Sequence, residues 1–203
     1  MIVIIDYGLG NLSSIKNMLK KIGERNVIIS SDLEVIKNAS KIILPGVGAF
    51  DTGMRHLNEY GLKDILDKKA LIEKVPFLGI CLGMQLMTNG SEEGVLPGLG
   101  WFDANTVKFK LEDSSLKIPH MGWNYVQNIN RNNVFLKEDK KYRFYFVHSY
   151  HVQCNNENDV LFTTNYGNEF HSAIQKDNLI GMQFHPEKSL HFGMDIFESF
   201  AKI

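Results

Sequence analysis

The segment Phe77-Leu78-Gly79-Ile80-Cys81-Leu82-Gly83-Met84-Gln85 constrains this chain more than any other. An apolar run from Val75 to Ile80, interrupted by Pro76, ends in a cysteine that Gly79 and Gly83 bracket. The pattern predicts a strand turning sharply into a helix, with the side chain at the turn lifted to the strand's carboxyl end. Glycine is needed on either side because a tight turn brings backbone segments too close for a Cβ. This is the layout of a nucleophile elbow. A thiol there lies near a helix N-terminus, whose partial positive charge favours thiolate over thiol. On these residues alone a nucleophile and a small buried hydrophobe fit equally well, since most free cysteines are core residues.

Near the other end, Ile180-Gly181-Met182-Gln183-Phe184 reads as a strand followed by His185-Pro186-Glu187. Histidine and glutamate two residues apart on an extended segment project to one side. The carboxylate can then hold one imidazole nitrogen while the other faces Cys81, with Pro186 keeping the segment extended. An exposed strand end gives the same three residues. Only a fold can bring Cys81 and His185 together, because triads are recognised by geometry rather than spacing.

The first half of the chain alternates strand and helix. Ile2 to Ile5 is a β-branched run suited to a strand buried on both faces. Ile15, Met18, Leu19 and Ile22 recur at helical spacing, and Gly23 fits the stop. Residues 27–29, 41–44 and 77–80 read as further strands, and Ser31 to Glu34 matches a capping box. Such alternation predicts a parallel sheet with right-handed crossovers. From Trp101 the style changes. Segments 105–110, 123–129, 143–147, 160–165, 173–176 and 179–184 read as strands joined by short turns, before a helix at 192–201. The expected fold is a doubly wound, flavodoxin-like α/β sheet, mostly parallel, with an antiparallel extension in the C-terminal half. One domain over residues 1–203 accommodates it, since no linker or repeat marks a boundary.

Composition narrows the function classes. The net charge of −1 gives no reason to expect nucleic acid or a membrane surface as partner. Two cysteines make no disulfide framework and suit a reducing cytosol, and the N-terminal segment reads as a strand rather than a signal peptide. A cytoplasmic protein is expected. The histidines show no zinc-ligand spacing, so neither a metal nor a cofactor is expected. Gly8-Leu9-Gly10-Asn11-Leu12-Ser13 sits where a dinucleotide fingerprint would lie, but its last position is serine and no acidic residue plainly ends the second strand. The Lys137–Arg143 charge cluster reads as a solvated turn, and Cys154 as core or as a harmless surface thiol.

Gly79-Ile80-Cys81-Leu82-Gly83-Met84-Gln85, Pro45-Gly46-Val47-Gly48 and Gln183-Phe184-His185-Pro186-Glu187 together resemble the class I, triad-type glutamine amidotransferases. Pro119-His120-Met121-Gly122-Trp123-Asn124 and Tyr145-Phe146-Val147-His148-Ser149-Tyr150 narrow the resemblance to the glutaminase subunits of imidazole glycerol phosphate synthase, in histidine biosynthesis. The motifs run in order along essentially the whole chain.

The resemblance implies that Cys81 attacks the side-chain amide carbon of glutamine. His185 would deprotonate the thiol and then protonate the departing amine, and Glu187 would orient the imidazole. The N–H of Leu82 is placed to donate to the oxyanion, since it follows the nucleophile at the helix start. By resemblance the second donor is the Val47 amide, although the Pro45–Gly48 loop also fits a plain strand-end turn. Resemblance likewise assigns the amino-acid end of glutamine to Gln85, Glu93, Ser149 and Tyr150, with backbone contacts from Gly46 and Gly48. From the residues alone Glu92 serves as well as Glu93. A barrel-fold cyclase subunit is the implied partner in a heterodimer, meeting Asn11, Pro119, Met121, Gly122, Trp123, Tyr145 and Lys188 at or near the ammonia exit. Trp123 and Tyr145 fit interface anchors and fit core residues equally.

Two other readings share these residues. A paralogous glutaminase would supply ammonia for amidino groups on surface sugars, a possibility that His191-Phe192-Gly193-Met194 and Gly98-Leu99-Gly100-Trp101 raise. A cysteine peptidase or deglycase-like hydrolase explains Cys81 and His185 but leaves Gln85 and the His120–Asn124 segment without a role.

Overall fold

A computed structural model describes residues 1–129, 133–136 and 140–203. The charged turn expected at 137–143 begins outside the described residues. β1, Ile2–Ile5, leads into α1, Leu12–Lys21, and β2, Val27–Ser30, into α2, Leu33–Lys37. β3, Lys41–Gly46, is followed by α3, Phe50–Glu59, and by α4, Lys63–Asp67, which continues as a π-helical turn over Lys68–Ile72. β4, Phe77–Cys81, runs directly into α5, Leu82–Leu86. Eight strands follow: β5 Ala104–Lys108, β6 His120–Tyr125, β7 Gln127–Asn128, β8 Arg143–His148, β9 Tyr150–Cys154, β10 Val160–Tyr166, β11 Asn168–Lys176 and β12 Leu179–Met182. A 3-10 turn over Pro186–Lys188 and the helix α6, Leu190–Lys202, complete the order.

Among the described residues the main sheet has ten strands. Its order is β2-β1-β3-β4-β12-β11-β10-β7, with β9 on β11 and β5 on β9, while β6 and β8 form a separate ribbon. β2, β1, β3, β4 and β12 are parallel neighbours, and the remaining pairings are antiparallel. This is the doubly wound α/β sheet with an antiparallel extension. The period-2 alternation of the strands divides the core between two faces. Val3, Ile5, Ile42, Leu44 and Phe77 pack with Phe50, Met54, Leu57, Leu66 and Leu86 of α3 to α5. Ile2, Ile4, Ile43, Leu78 and Ile80 pack with Ile15 and Leu19 of α1 and with Ile196, Phe197 and Phe200 of α6. From β1 the chain moves one way to β2 and then back past β1 to β3. The carboxyl ends of β1 and β3 therefore flank a topological switch point, where open α/β sheets bind ligands.

Local differences from the sequence expectation have identifiable causes. The α2 cap is Asp32 rather than Ser31, because the Asp32 carboxylate accepts from the N–H groups of Glu34 and Val35. The strand expected at 123–129 is two strands in different sheets, β6 pairing β8 and β7 pairing β10. β12 ends at Met182, so Gln183 and Phe184 lie beyond the regular strand.

Two substitutions check this account in urea unfolding. Asp32→Ala should destabilise by about 1 kcal/mol, whereas Ser31→Ala should change stability by less than about 0.5 kcal/mol. Equal effects would restore Ser31 as the cap.

Candidate active site

The elbow is built at the junction of β4 and α5. Cys81 has φ +53° and ψ −110°, a left-handed φ that a side chain adopts only under strain. Such a residue stores about 1–3 kcal/mol and needs its surroundings to hold it. The flanking glycines allow that holding. A Cβ on Gly83 would lie 1.7 Å from the Leu44 carbonyl oxygen, and one on Gly79 would lie 2.6 Å from Met87 Sδ and 2.8 Å from the Met84 nitrogen. Parallel pairing of β3 with β4 sets Gly46 opposite Cys81. Val47 and Leu82 therefore leave the sheet at the same level, side by side.

His185 reaches this level by a different route from the one expected. The His-Pro-Glu segment is not extended: Pro186 opens the 3-10 turn, with His185 as its extended N-cap. Proline suits that first position because the N–H it lacks would have no partner there. The turn still brings the two side chains together, with His185 Nδ1 2.8 Å from Glu187 Oε1 and both side chains almost wholly buried. The His185 N–H donates to the Tyr145 carbonyl at 2.9 Å. Ser189 Oγ donates to the His185 carbonyl at 2.6 Å and accepts from the Tyr145 N–H at 3.0 Å. The backbone of His185 is thus tied to β8 on one side and to Ser189, the N-cap of α6, on the other.

A carboxylate can only accept at neutral pH, so Nδ1 carries the proton and Nε2 is left for other work. Nε2 is buried, with the Cys81 thiol as its neighbour. Burial disfavours the imidazolium, but the neighbouring Cys81, and after it Glu187, outweigh that effect and raise the His185 pKa to about 10. Opposite charges close by favour the charged form. The pair is arranged to stabilise the imidazolium that a cysteine nucleophile generates.

Beside the thiol lies a cavity of about 280 Å³, lined by Val47, Gly48, Cys81, Leu82, Gln85, Glu93, Pro119, Val147, His148, Ser149 and Tyr150. It gathers residues from segments far apart in the chain. Gly46 is not in the lining; it is buried where a Cβ would lie 2.4 Å from the Tyr7 hydroxyl and 2.9 Å from Leu82 Cβ. Of the two adjacent carboxylates, Glu93 faces the cavity, while Glu92 accepts from the Lys108 N–H on β5. One Glu93 oxygen accepts from the Phe50 N–H at the start of α3, at 2.9 Å. Asp51 in turn accepts from the N–H groups of Val95 and Leu96, which pins the Glu93 loop to the same helix end.

Four residues that sequence reasoning did not single out shape the site. Tyr7, fully buried, donates its hydroxyl to the Pro45 carbonyl at 2.7 Å and so anchors the base of the Pro45–Gly48 loop. Gln183 places its amide nitrogen 3.7 Å from Cys81 Sγ and accepts from Gln85 Nε2 at 3.0 Å. Ser189 holds the histidine turn, and His148 lines the cavity. Local signals for these roles are absent, since each depends on a partner far along the chain.

Of the residues expected at a partner surface, Pro119 lines the cavity. Met121 is 61% and Trp123 42% exposed on β6, which answers the alternative that Trp123 fills the core. Tyr145 is half-buried and meets Trp123 edge to face, with ring centroids 6.4 Å apart. The exposed Lys188 lies over the Tyr145 ring, its ammonium 5.8 Å from the centroid. Asn11 and Gly122 are half-buried, and Pro119 is exposed.

With this geometry in view, comparisons with known proteins agree. Residues 3–202 match the model of the family described as Glutamine amidotransferase class-I. The chain is 58% identical to imidazole glycerol phosphate synthase subunit HisH 2 of Methanococcus maripaludis, covering 100% of this chain and 99% of that one. It is 46% identical to subunit HisH 2 of the same synthase in Pseudomonas aeruginosa and 44% identical to subunit HisH of Leptospira interrogans, each over the full length of both chains. The fold is similar to that of a crystal structure of a glutamine amidotransferase, at 18% identity and a TM-score of 0.74, covering 100% of this chain and 98% of that one. It is likewise similar to PurLQS from Thermotoga maritima, at 18% identity and a TM-score of 0.70, covering 99% and 97%.

The raised His185 pKa carries a sign. The folded state binds this proton more tightly than the unfolded chain, so its stabilising contribution is complete below pH 6.5 and is lost as pH rises towards 10. Histidine-ring NMR titration should show the pKa falling in Glu187→Gln and falling further in Cys81→Ala, with the pH-dependent loss of stability ending at lower pH in both. An unmoved pKa in Cys81→Ala would show that the thiol does not act on this ring.

Proposed function

This chain belongs to the class-I glutamine amidotransferases, and from that membership we propose that it is the glutaminase subunit of an imidazole glycerol phosphate synthase. It hydrolyses glutamine to glutamate and ammonia for a cyclase subunit that makes imidazole glycerol phosphate and aminoimidazole carboxamide ribotide. The observation that carries the reading is the Cys81 elbow with the His185–Glu187 pair beside it, on a chain that matches synthase glutaminase subunits along its full length.

The residues present perform the reaction in two stages. In the first, the Cys81 proton already rests on His185 Nε2, as the raised pKa of that ring favours, and the sulfur attacks the glutamine side-chain carbon. The N–H groups of Val47 and Leu82 receive the oxyanion that forms. The carbon–nitrogen bond breaks as His185 returns its proton to the departing ammonia, leaving a thioester on Cys81. In the second, water gives a proton to His185 while its oxygen attacks the thioester carbon. The carbon–sulfur bond breaks, glutamate leaves, and the thiol recovers the proton. Glu187 keeps Nδ1 protonated throughout, so Nε2 is always the working nitrogen. Gln85, Glu93, Ser149 and Tyr150 hold the amino-acid end, the free Glu93 oxygen pairing the α-ammonium. Gly48 contributes at the cavity wall, and Gly46 acts beneath it by letting Tyr7 and Leu82 close on the loop.

Ammonia made here must reach a second active site without loss to water. Pro119 lines the cavity, and with Met121, Gly122, Trp123, Tyr145, Asn11 and Lys188 it forms the surface on which the partner docks. That partner has a barrel fold and forms a heterodimer in the cytoplasm. No cofactor enters the scheme, and residues 1–203 act as one amidotransferase domain. One observation favours a second reading with the same chemistry. Two of the similar proteins carry the numeral 2 in their names, as numbered copies do. A copy of this kind fits a sugar amidotransferase as the ammonia acceptor.

Ammonia release from glutamine, measured alone and with each candidate partner, tests the proposal. Strong stimulation is expected with the cognate cyclase subunit and its ribotide ligand, falling by about four orders of magnitude or more in Cys81→Ala. Stimulation by a sugar amidotransferase alone would move the protein to the second reading. Activity that survives Cys81→Ala with every partner would remove the triad assignment.

A further inference from the structure

Three polar side chains of the His120–Asn124 and Tyr145–Tyr150 segments have no part in the reaction above, yet they are joined end to end. Asn124 Nδ2 lies 3.3 Å from His120 Nε2, His120 Nδ1 lies 3.0 Å from His148 Nε2, and His148 Nδ1 lies 2.7 Å from the Tyr150 carbonyl. Both imidazoles are buried, at 2% and 6% exposure. His120 is stacked between Phe146 and Tyr166, with centroids at 4.8 and 4.0 Å.

The protons of this chain can be placed without ambiguity. A carbonyl oxygen only accepts, so His148 Nδ1 carries a hydrogen. Burial keeps both rings neutral, holding His148 well below its ordinary pKa and His120 at about 4. A neutral ring has one donor, so His148 Nε2 accepts and His120 Nδ1 donates to it. His120 Nε2 then accepts, and its donor is the Asn124 amide. That amide's other hydrogen goes to the Asn165 carbonyl at 2.9 Å, and Asn124 Oδ1 accepts from the Tyr125 N–H at 2.8 Å, which fixes the orientation of the group. At the far end the Tyr150 carbonyl also accepts from Gln85 Nε2 at 3.1 Å. Gln85 Nε2 donates onward to Gln183, whose amide reaches Cys81. Every bond points the same way from β6 to Tyr150, and each member is satisfied.

We propose that His120 and His148 are positioning residues, a directed hydrogen-bond relay that fixes the Ser149–Tyr150 edge of the cavity in register with β6. The relay rests on the glutaminase reading for its consequence, because that edge holds the amino-acid end of glutamine. The hydrogen bond to the Tyr150 carbonyl and the one from Gln85 meet on a single oxygen. Displacing His148 therefore loosens the strap and with it one of the two acceptors that hold the Gln85 side chain in the same cavity. The effect falls on substrate binding, since neither imidazole touches the sulfur or the His185–Glu187 pair.

Two measurements test the relay. In the complex with the cognate cyclase subunit, His120→Phe keeps the aromatic stack but removes the donor. It should raise KM for glutamine about ten-fold, the effect of one lost net hydrogen bond, and leave kcat within about two-fold. His120→Asn, whose amide nitrogen reaches the Nδ1 position, should recover most of that loss. An unchanged KM in a folded His120→Phe variant, or a loss confined to kcat, overturns the proposal. Side-chain nitrogen NMR of the unmodified protein provides the second check and needs no activity. Both rings should be neutral with hydrogen on Nδ1, and hydrogen on Nε2 of either ring overturns the directed relay. If the protein released no ammonia with any partner, the glutaminase reading would fail while the NMR result still judged the relay.

Discussion

Because Gly83 carries no side chain, the backbone of α5 lies directly on the Leu44 carbonyl of β3, where a Cβ would stand 1.7 Å from the oxygen. That approach lets α5 begin immediately after Cys81 instead of a residue or two later, which in turn drives Cys81 into its left-handed φ. The strain is offset by packing on both sides, since Leu82, Met84 and Leu86 are buried in the same core cluster as Leu44. The consequence is positional. The thiol is presented at the carboxyl edge of the parallel sheet, opposite the Pro45–Gly48 loop that the next strand carries. A relaxed cysteine at the end of a longer turn would reach neither that loop nor His185.

The histidine side of the site is held by hydrogen bonding rather than by strain. A buried imidazole and a buried carboxylate lose much of their hydration, so they persist as a pair only if each compensates the other. The 2.8 Å contact provides that compensation, and Ser189 fixes the backbone of the turn that carries both residues. Nε2 is left for Cys81. A ring nitrogen set beside a thiol is poised to exchange protons with it and with whatever occupies the cavity, which is the requirement for a group that acts first as base and then as acid.

What could be read from the sequence was whatever depended on neighbours in the chain. The elbow was legible because both glycines that make it possible sit within two residues of Cys81, and the parallel core because β1 is an uninterrupted β-branched run. The helices between β3 and β4 were not placed, and the reason is visible at their ends. α3 has Ala49 at its N-cap with no side-chain cap of its own, and its first N–H is satisfied by Glu93 from a loop far downstream. The His-Pro-Glu turn was expected to be extended because proline serves an extended segment and a helix start equally well, and only the contacts of Ser189 choose between them. Tyr7, Gln183 and His148 were missed for the same cause: each acts through a partner that no local pattern announces.

The ribbon of β6 and β8 places an exposed apolar face and a wall of the cavity back to back. Along β6 the outward positions, Met121, Trp123 and Tyr125, are exposed, while His120 at the start of the strand is buried and Asn124 half-buried. Successive residues of a strand face opposite ways, so the separation between a wet apolar face and a buried polar one is a single residue. Pairing His120 with His148, and each later residue of β6 with the matching residue of β8, fixes which set faces which way. A slip of one residue would exchange the two sets, exposing the imidazoles and burying Trp123. A partner docked on Met121 or Trp123, as proposed above, would act on the same strand that carries His120. Since His120 is joined through His148 to the Tyr150 carbonyl, the exposed face of β6 and the shape of the cavity are set by one register rather than by two independent surfaces.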